Sequence, residues 1–181
     1  MEQREPKPII YYTNVFHPMN LMPSSFKVAQ EWNKAFQAAV YYAQPGKYNE
    51  IKDVPQMFLL KENSCRVLNI SRWLHSVVPE KKELIETASG YSIDEVEELL
   101  SQSEKNNEHL SFNEKHLLEL NAKTILEKIC ASLEFYTEND DKPFHYQRAG
   151  DLRYNLLNVE VDNIATRWSG YGPMFSDPIT G

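Results

Sequence analysis

The segment formed by residues 9–46 reads IIYYTNVFHPMNLMPSSFKVAQEWNKAFQAAVYYAQPG. It opens with a short β-prone apolar run, and a loop with two prolines separates this run from a segment with helical apolar spacing. The spacing predicts a helix that begins within residues 23–25 and ends at Pro45-Gly46. We expect the helix to pack on a sheet with Trp32 and Phe36 as core anchors. The predicted apolar face consists of Phe26, Ala29, Trp32, Ala35, Phe36, Ala39 and Ala43.

Other parts of the chain also have strand character. Residues 57–60 form a continuous apolar run after a proline, which predicts a buried strand. Leu152, Tyr154 and Leu156 begin an alternation that continues through residues 158–161, and this pattern predicts another strand. Glycine and proline interrupt residues 170–175, which is typical of an edge strand.

Between these strands lies a block rich in Glu, Lys, Leu and Asn. Gly90 is expected to end one helix, and capping boxes at residues 92–95 and 111–114 predict the starts of two more. The last of these helices has an apolar face that consists of Leu118, Ala122, Ile125, Ile129 and Leu133. The predicted fold class is α+β, a small mixed sheet with a packed first helix and an all-helical insertion. The predicted domains are residues 1–63, the helical insertion 64–143, and the strands and edge hairpin 144–181.

Composition excludes some classes of function. Twenty-six acidic and nineteen basic residues give a formal net charge of −7, and no basic cluster offsets it, so nucleic acid is not an expected partner. No apolar run approaches the ~20 residues that cross a bilayer, so no transmembrane segment is predicted. The first eight residues lack the apolar core of a signal peptide, although a removed signal would leave the same appearance.

The two cysteines, Cys65 and Cys130, are far apart in the sequence. They form neither a Cys-x-x-Cys ligand pair nor the dense pattern of a disulfide framework. We therefore expect two buried or idle thiols.

A search for catalytic chemistry finds no site. None of the five histidines belongs to a His-Glu-x-x-His motif, and the chain has neither a glycine-rich phosphate loop nor a nucleophile elbow. His109 and His116, with Glu114 nearby, are the pair closest to a helical spacing. However, His109 precedes the Ser111 cap, so we expect both histidines to face solvent. The residues alone predict no catalytic group and no metal ligand in this chain.

Three separated segments carry a family resemblance. They are IIYY at 9–12 with EWNKAF at 31–36, GDLRYN at 150–155, and GYGP at 170–173 with DPITG at 177–181. In this order they are similar to the opening strand and first helix, an Asp-x-Arg-Tyr-Asn strand and a Gly-Tyr-Gly-Pro hairpin of large bacterial zincin-type zinc metallopeptidases, a metzincin-like group.

The resemblance implies the N-terminal part of a catalytic domain, upstream of the His-Glu-x-x-His helix. It implies zinc in the complete protein and none bound by this chain, peptide or protein substrates, and an exported or cell-envelope location. Peptide hydrolysis by a zinc-bound water would then belong only to the complete protein. The turn at residues 177–181 normally leads into the second arm of a hairpin, so we expect the sequence to continue beyond Gly181.

The resemblance also suggests a substrate-binding strand. An edge strand with free backbone groups can pair with an extended peptide, which would assign this role to Gly170, Tyr171, Gly172, Pro173 and Met174. An ordinary hairpin with glycines for turn geometry is the alternative for this segment. For the whole chain, the alternative is a non-catalytic scaffold whose helical insertion binds a protein partner.

Overall fold

The computed structural model describes residues 5–104 and 109–158, which form helices and a small sheet, in agreement with the predicted α+β class. The strands are β1 (Ile9–Thr13), β2 (Phe58–Lys61) and β3 (Asn155–Leu157), and the helices are α1 (Met22–Ala43), α2 (Val67–Arg72), α3 (Lys82–Ser89), α4 (Ile93–Glu104) and α5 (Phe112–Thr137). Short 3-10 or π turns occur at Met19–Leu21, Ile51–Asp53, Trp73–Val77 and Pro79–Lys81. Within the described ranges, no helix is long and apolar enough to cross a bilayer.

The sheet has the order β2-β1-β3, and both of its strand pairs are parallel. The predicted sheet was mixed, so the described part differs in strand direction. Ile10 lies opposite Leu59, and Tyr12 lies opposite Leu156 on the other side. Parallel neighbours need a long crossover, and α1 supplies it between β1 and β2, whereas the helical block separates β2 from β3.

Helix α1 begins one residue before the predicted range and ends two residues before Pro45, and its predicted contact face is only partly right. Trp32 is 55% exposed, so it is not a core anchor, and Ala35, Ala39 and Ala43 are exposed as well. Ala29 is buried, and Phe36 stacks on Phe58 of β2 with 5.8 Å between the ring centroids.

A polar side chain sets the orientation of α1. Asn33 accepts hydrogen bonds through Oδ1 from the backbone N–H groups of Met57 and Phe58, at 2.7 and 3.0 Å. One turn later, Gln37 donates through Nε2 to the carbonyl oxygen of Val54 at 2.6 Å. These bonds turn the face that carries Asn33 and Gln37 toward the start of β2. The apolar spacing could not reveal this orientation, because the residues that fix it are amides.

The helical block holds most of the buried core. Ser111 and Glu114 form the predicted capping box of α5, Ser92 and Glu95 bond reciprocally at the start of α4, and Gly90 ends α3 with a φ of 78°. The buried cluster consists of Cys65, Ile70, Leu74, Val78, Ile85, Ile93, Val96, Ala122, Leu126, Ile129, Cys130, Leu133, Phe144 and Tyr146. The division into three domains stays a prediction.

The two cysteines form a disulfide, which corrects the prediction of idle thiols. Cys65 follows β2, Cys130 lies on the buried face of α5, and their Cα atoms are 5.9 Å apart. Because they are 65 positions apart in the sequence, only the tertiary packing of α5 beside the end of β2 brings them together. The bond fixes the helical block to the sheet layer.

The third strand begins later than predicted. Leu152 is fully exposed, and residues 151–154 form a turn after Gly150, whose φ is 85°. Arg153 pairs with the Asp151 carboxylate within this turn, where the ion pair braces the chain entering β3. The strand that follows therefore begins at residue 155, and the predicted continuation beyond residue 158 lies outside the described residues.

Loss of the disulfide should destabilise the protein. Replacing both Cys65 and Cys130 by alanine removes the cross-link, and we expect a loss of roughly 2–4 kcal/mol in the free energy of unfolding. Urea denaturation of the variant and the parent protein measures the difference. Alkylation of the unfolded, unreduced protein should label neither cysteine, whereas labelling of both would contradict the bond.

Asn33 should contribute more to stability than its partial exposure indicates. Asn33→Ala leaves the N–H groups of Met57 and Phe58 without their acceptor, which should cost about 1–3 kcal/mol. Gln30→Ala is the matched control, because Gln30 is exposed on the same helix. Equal denaturation midpoints for the two variants would show that Asn33 does not fix the helix.

Candidate functional site

The sequence-predicted functional residues do not form a site in the described structure. Gly170, Tyr171, Gly172, Pro173 and Met174 lie outside the described residues. His109 is exposed and precedes α5, as predicted, whereas His116 is half-buried on that helix. Residues 5–104 and 109–158 contain no cluster of three His, Cys, Asp or Glu side chains that could hold a metal ion. These ranges therefore do not provide the ligand set that zinc would need.

A different site is formed by a cavity of about 460 Å³ at the carboxyl ends of β1 and β2. Thr13 ends β1 and is followed by Asn14 and His17, and Asn63 and Arg66 follow β2. Helices α4 and α5 close the opposite side. In parallel sheets, the crevice outside the carboxyl ends of the strands is the usual position for a ligand.

The floor of the cavity is a buried hydrogen-bond network around Asn63. The Asn63 side chain donates through Nδ2 to the carbonyl oxygens of Thr13 and Gln147, at 3.1 and 2.7 Å. Its Oδ1 accepts from the N–H of Cys65 at 2.9 Å, and its own N–H donates to Thr13 Oγ1. All polar groups of the Asn63 side chain are thus paired, which fixes the two strand ends relative to each other.

Lys123 of α5 brings a buried cation to the cavity wall. Its Nζ donates to the carbonyl oxygen of His17 and to Glu119 Oε1. Burial lowers the pKa of the Lys123 ammonium, and the Glu119 carboxylate opposes this shift through its hydrogen bond and its charge. An ammonium has three donor hydrogens, so these two acceptors leave one N–H for a further partner.

Two other polar groups of the wall are not paired within the described structure. His17 is 2% exposed, and its Nε2 lies 3.0 Å from Ser25 Oγ, but its Nδ1 has no hydrogen-bond partner. Burial, and then the charge of Lys123, lowers the pKa of His17, which favours the neutral imidazole at pH 7. The Oδ1 atom of Asn14 is also buried and unpaired. A native structure rarely leaves such atoms without a partner.

The rest of the cavity wall is mainly apolar. Its apolar members are Val15, Met19, Met22, Val67, Leu68, Leu100 and Leu126. Glu97 and Glu104 of α4 are exposed at its edge, and Arg66 is paired with Glu62. A few polar groups at one end of an apolar cavity are typical of small-molecule sites.

Sequence reasoning missed this cavity because four distant segments form it. The signal that could have indicated it is Lys123, which directly follows Ala122 on the predicted apolar face of α5. A buried lysine at such a position needs partners, and His17 supplies one from 106 residues away.

Comparison of the chain with family models, with curated proteins and with solved structures gives no match. The resemblance to zincin-type metallopeptidases therefore stays an expectation drawn from the sequence.

Proposed function

We propose that this chain forms the N-terminal part of the catalytic domain of a zinc-dependent metalloendopeptidase. In this proposal the complete protein hydrolyses peptide bonds, and the chain alone is inactive. The proposal takes its chemistry from the family resemblance and its structural support from the arrangement of the resembling segments.

The observation that carries the proposal is the pairing of two of those segments. The 9–12 segment lies in β1 and the 150–155 segment ends in β3, and these strands are parallel neighbours with Tyr11 opposite Asn155. The Asn155 side chain donates through Nδ2 to the carbonyl oxygen of Ile10 at 3.0 Å. More than a hundred residues separate the two segments. If each segment resembled the family only by chance, the two would have no reason to lie side by side in the fold.

The first segment has a similar structural role in α1. Asn33, which belongs to the 31–36 motif, binds the backbone at the start of β2, and Phe36 of the same motif stacks on Phe58. The motif residues thus connect α1 with the strands of the sheet.

Two parts of the proposal concern residues beyond the described ranges. Peptide binding is assigned to Gly170–Met174, where glycine would allow a substrate backbone to approach closely. The family resemblance assigns the metal ligands to a helix downstream of the hairpin, outside this chain.

The test is to express the protein with the coding sequence that follows Gly181. We expect that sequence to encode a His-Glu-x-x-His helix and the longer protein to cleave a quenched fluorescent peptide. A chelator should abolish the cleavage and added zinc should restore it, with the 181-residue chain as the inactive control. Absence of the motif, or cleavage that survives chelation, would contradict the proposal.

A second candidate function is a non-catalytic scaffold that binds a protein through its helical block. The observation that favours it is the exposure of large apolar side chains on three helices, Leu68 on α2, Leu84 on α3 and Phe135 on α5. If the extended protein has no peptidase motif and no activity, this candidate becomes the preferred function.

A further inference from the structure

The cavity at the carboxyl ends of β1 and β2 is far larger than a water site. A water molecule occupies about 30 Å³ of liquid, whereas small-molecule cavities range from roughly 300 to 1,000 Å³. At about 460 Å³ the cavity has room for a small organic molecule. Its buried polar atoms without partners point to a ligand that supplies the missing hydrogen bonds.

The polar end of the cavity determines the functional groups of such a ligand. Lys123 has one N–H without an acceptor in the described structure, and His17 has an unpaired Nδ1. If the Ser25 hydroxyl donates to His17 Nε2, Nδ1 carries the imidazole proton and is a donor. Two adjacent donors, one of them cationic, suit a carboxylate.

The remaining polar groups require a donor beside that carboxylate. Asn14 Oδ1 is an acceptor without a partner, and the exposed carboxylates of Glu97 and Glu104 stand at the edge of the cavity. The charges of Lys123 and Arg66 are already offset by Glu119 and Glu62. A simple anion would therefore meet net negative charge, whereas an ammonium next to the carboxylate satisfies Asn14 and is favoured by the acidic edge.

The apolar wall determines the rest of the ligand. Met19 and Met22 come from the turn and helix after β1, and Leu100 and Leu126 come from α4 and α5. Methionine side chains adapt to an irregular apolar group more readily than branched ones. This wall suits an aliphatic side chain, whether or not it is branched.

We propose that this cavity binds a free α-amino acid with an aliphatic side chain. Its carboxylate accepts hydrogen bonds from Lys123 and His17, its ammonium lies near Asn14, and its side chain contacts Met22 and Leu100. The inference is separate from the peptidase proposal, because none of these residues belongs to the three resembling segments.

The test uses the 181-residue chain and isothermal titration calorimetry with L-leucine. We expect binding of one leucine per chain. Leucinamide lacks the carboxylate and 4-methylpentanoate lacks the ammonium, and each should bind about tenfold more weakly or worse, since each loses a charged hydrogen bond. The dipeptide Gly-Leu tests whether the site binds a free amino acid or the C-terminus of a peptide. We expect Gly-Leu to bind more weakly than leucine, because its leucine residue has no ammonium. No leucine binding, or tighter binding of any of these analogues, would overturn the proposal.

Variants locate the site. Leu100→Trp should fill the apolar part of the cavity and weaken leucine binding at least tenfold. Leu117→Trp is the matched control, because Leu117 is 56% exposed on α5 and does not line the cavity. Unchanged binding by the Leu100 variant would overturn the assignment.

A second pair of variants tests the polar end. Lys123→Met removes the buried ammonium, and Lys128→Met removes an exposed one from the same helix. The first should weaken leucine binding at least tenfold and should weaken leucinamide binding much less, since only leucine loses a charged partner, and the second should change neither. If Lys123→Met fails to fold, the Leu100 and Leu117 pair still decides the question. A folded Lys123→Met protein that binds leucine like the parent would overturn the proposal.

Discussion

The buried side chain of Asn63 lies where three segments of the chain meet. Its amide binds the carbonyl oxygen of Thr13 at the end of β1, the carbonyl oxygen of Gln147 in the segment that leads toward β3, and the N–H of Cys65. Because the Asn63 side chain is buried, the loss of any one of these bonds leaves a buried polar group without a partner. The disulfide between Cys65 and Cys130 connects this junction to α5. The Asn63 hydrogen bonds and the disulfide together position the residues of the cavity wall.

Local signals made part of the fold predictable. The capping boxes at Ser92 and Ser111 involve groups three residues apart, so their hydrogen bonds follow from the sequence wherever the helix forms. The strand at β2 was predicted from a short apolar run after a proline, although its apolar side chains are half-buried rather than buried. These features require no knowledge of which elements pack together.

The features that escaped prediction depend on distant partners. Trp32 belongs to an apolar stripe on α1. The amides of Asn33 and Gln37 bind backbone groups near β2 and rotate the helix, so that Trp32 stays largely exposed. The disulfide and the cavity also depend on distant partners. Cys130 and Lys123 acquire those partners only when α5 lies beside the loops that follow β1 and β2. Among the residues that line the cavity, only the buried Lys123 gave a signal in the sequence. Asn33 and Asn155 belong to the segments with a family resemblance, but they bind backbone groups and supply no chemistry.

The hydrogen bonds between Ser64 and Gln147 place the two ends of the helical block side by side. The N–H of Ser64 donates to Gln147 Oε1 at 2.8 Å, and Gln147 Nε2 donates back to Ser64 Oγ at 3.3 Å. The chain thus leaves the sheet layer and returns to it at one point. A segment whose ends meet can be gained, shortened or exchanged in evolution while the strands keep their positions, as with inserted domains. Relatives that share the sheet layer can therefore differ greatly in length between these two residues.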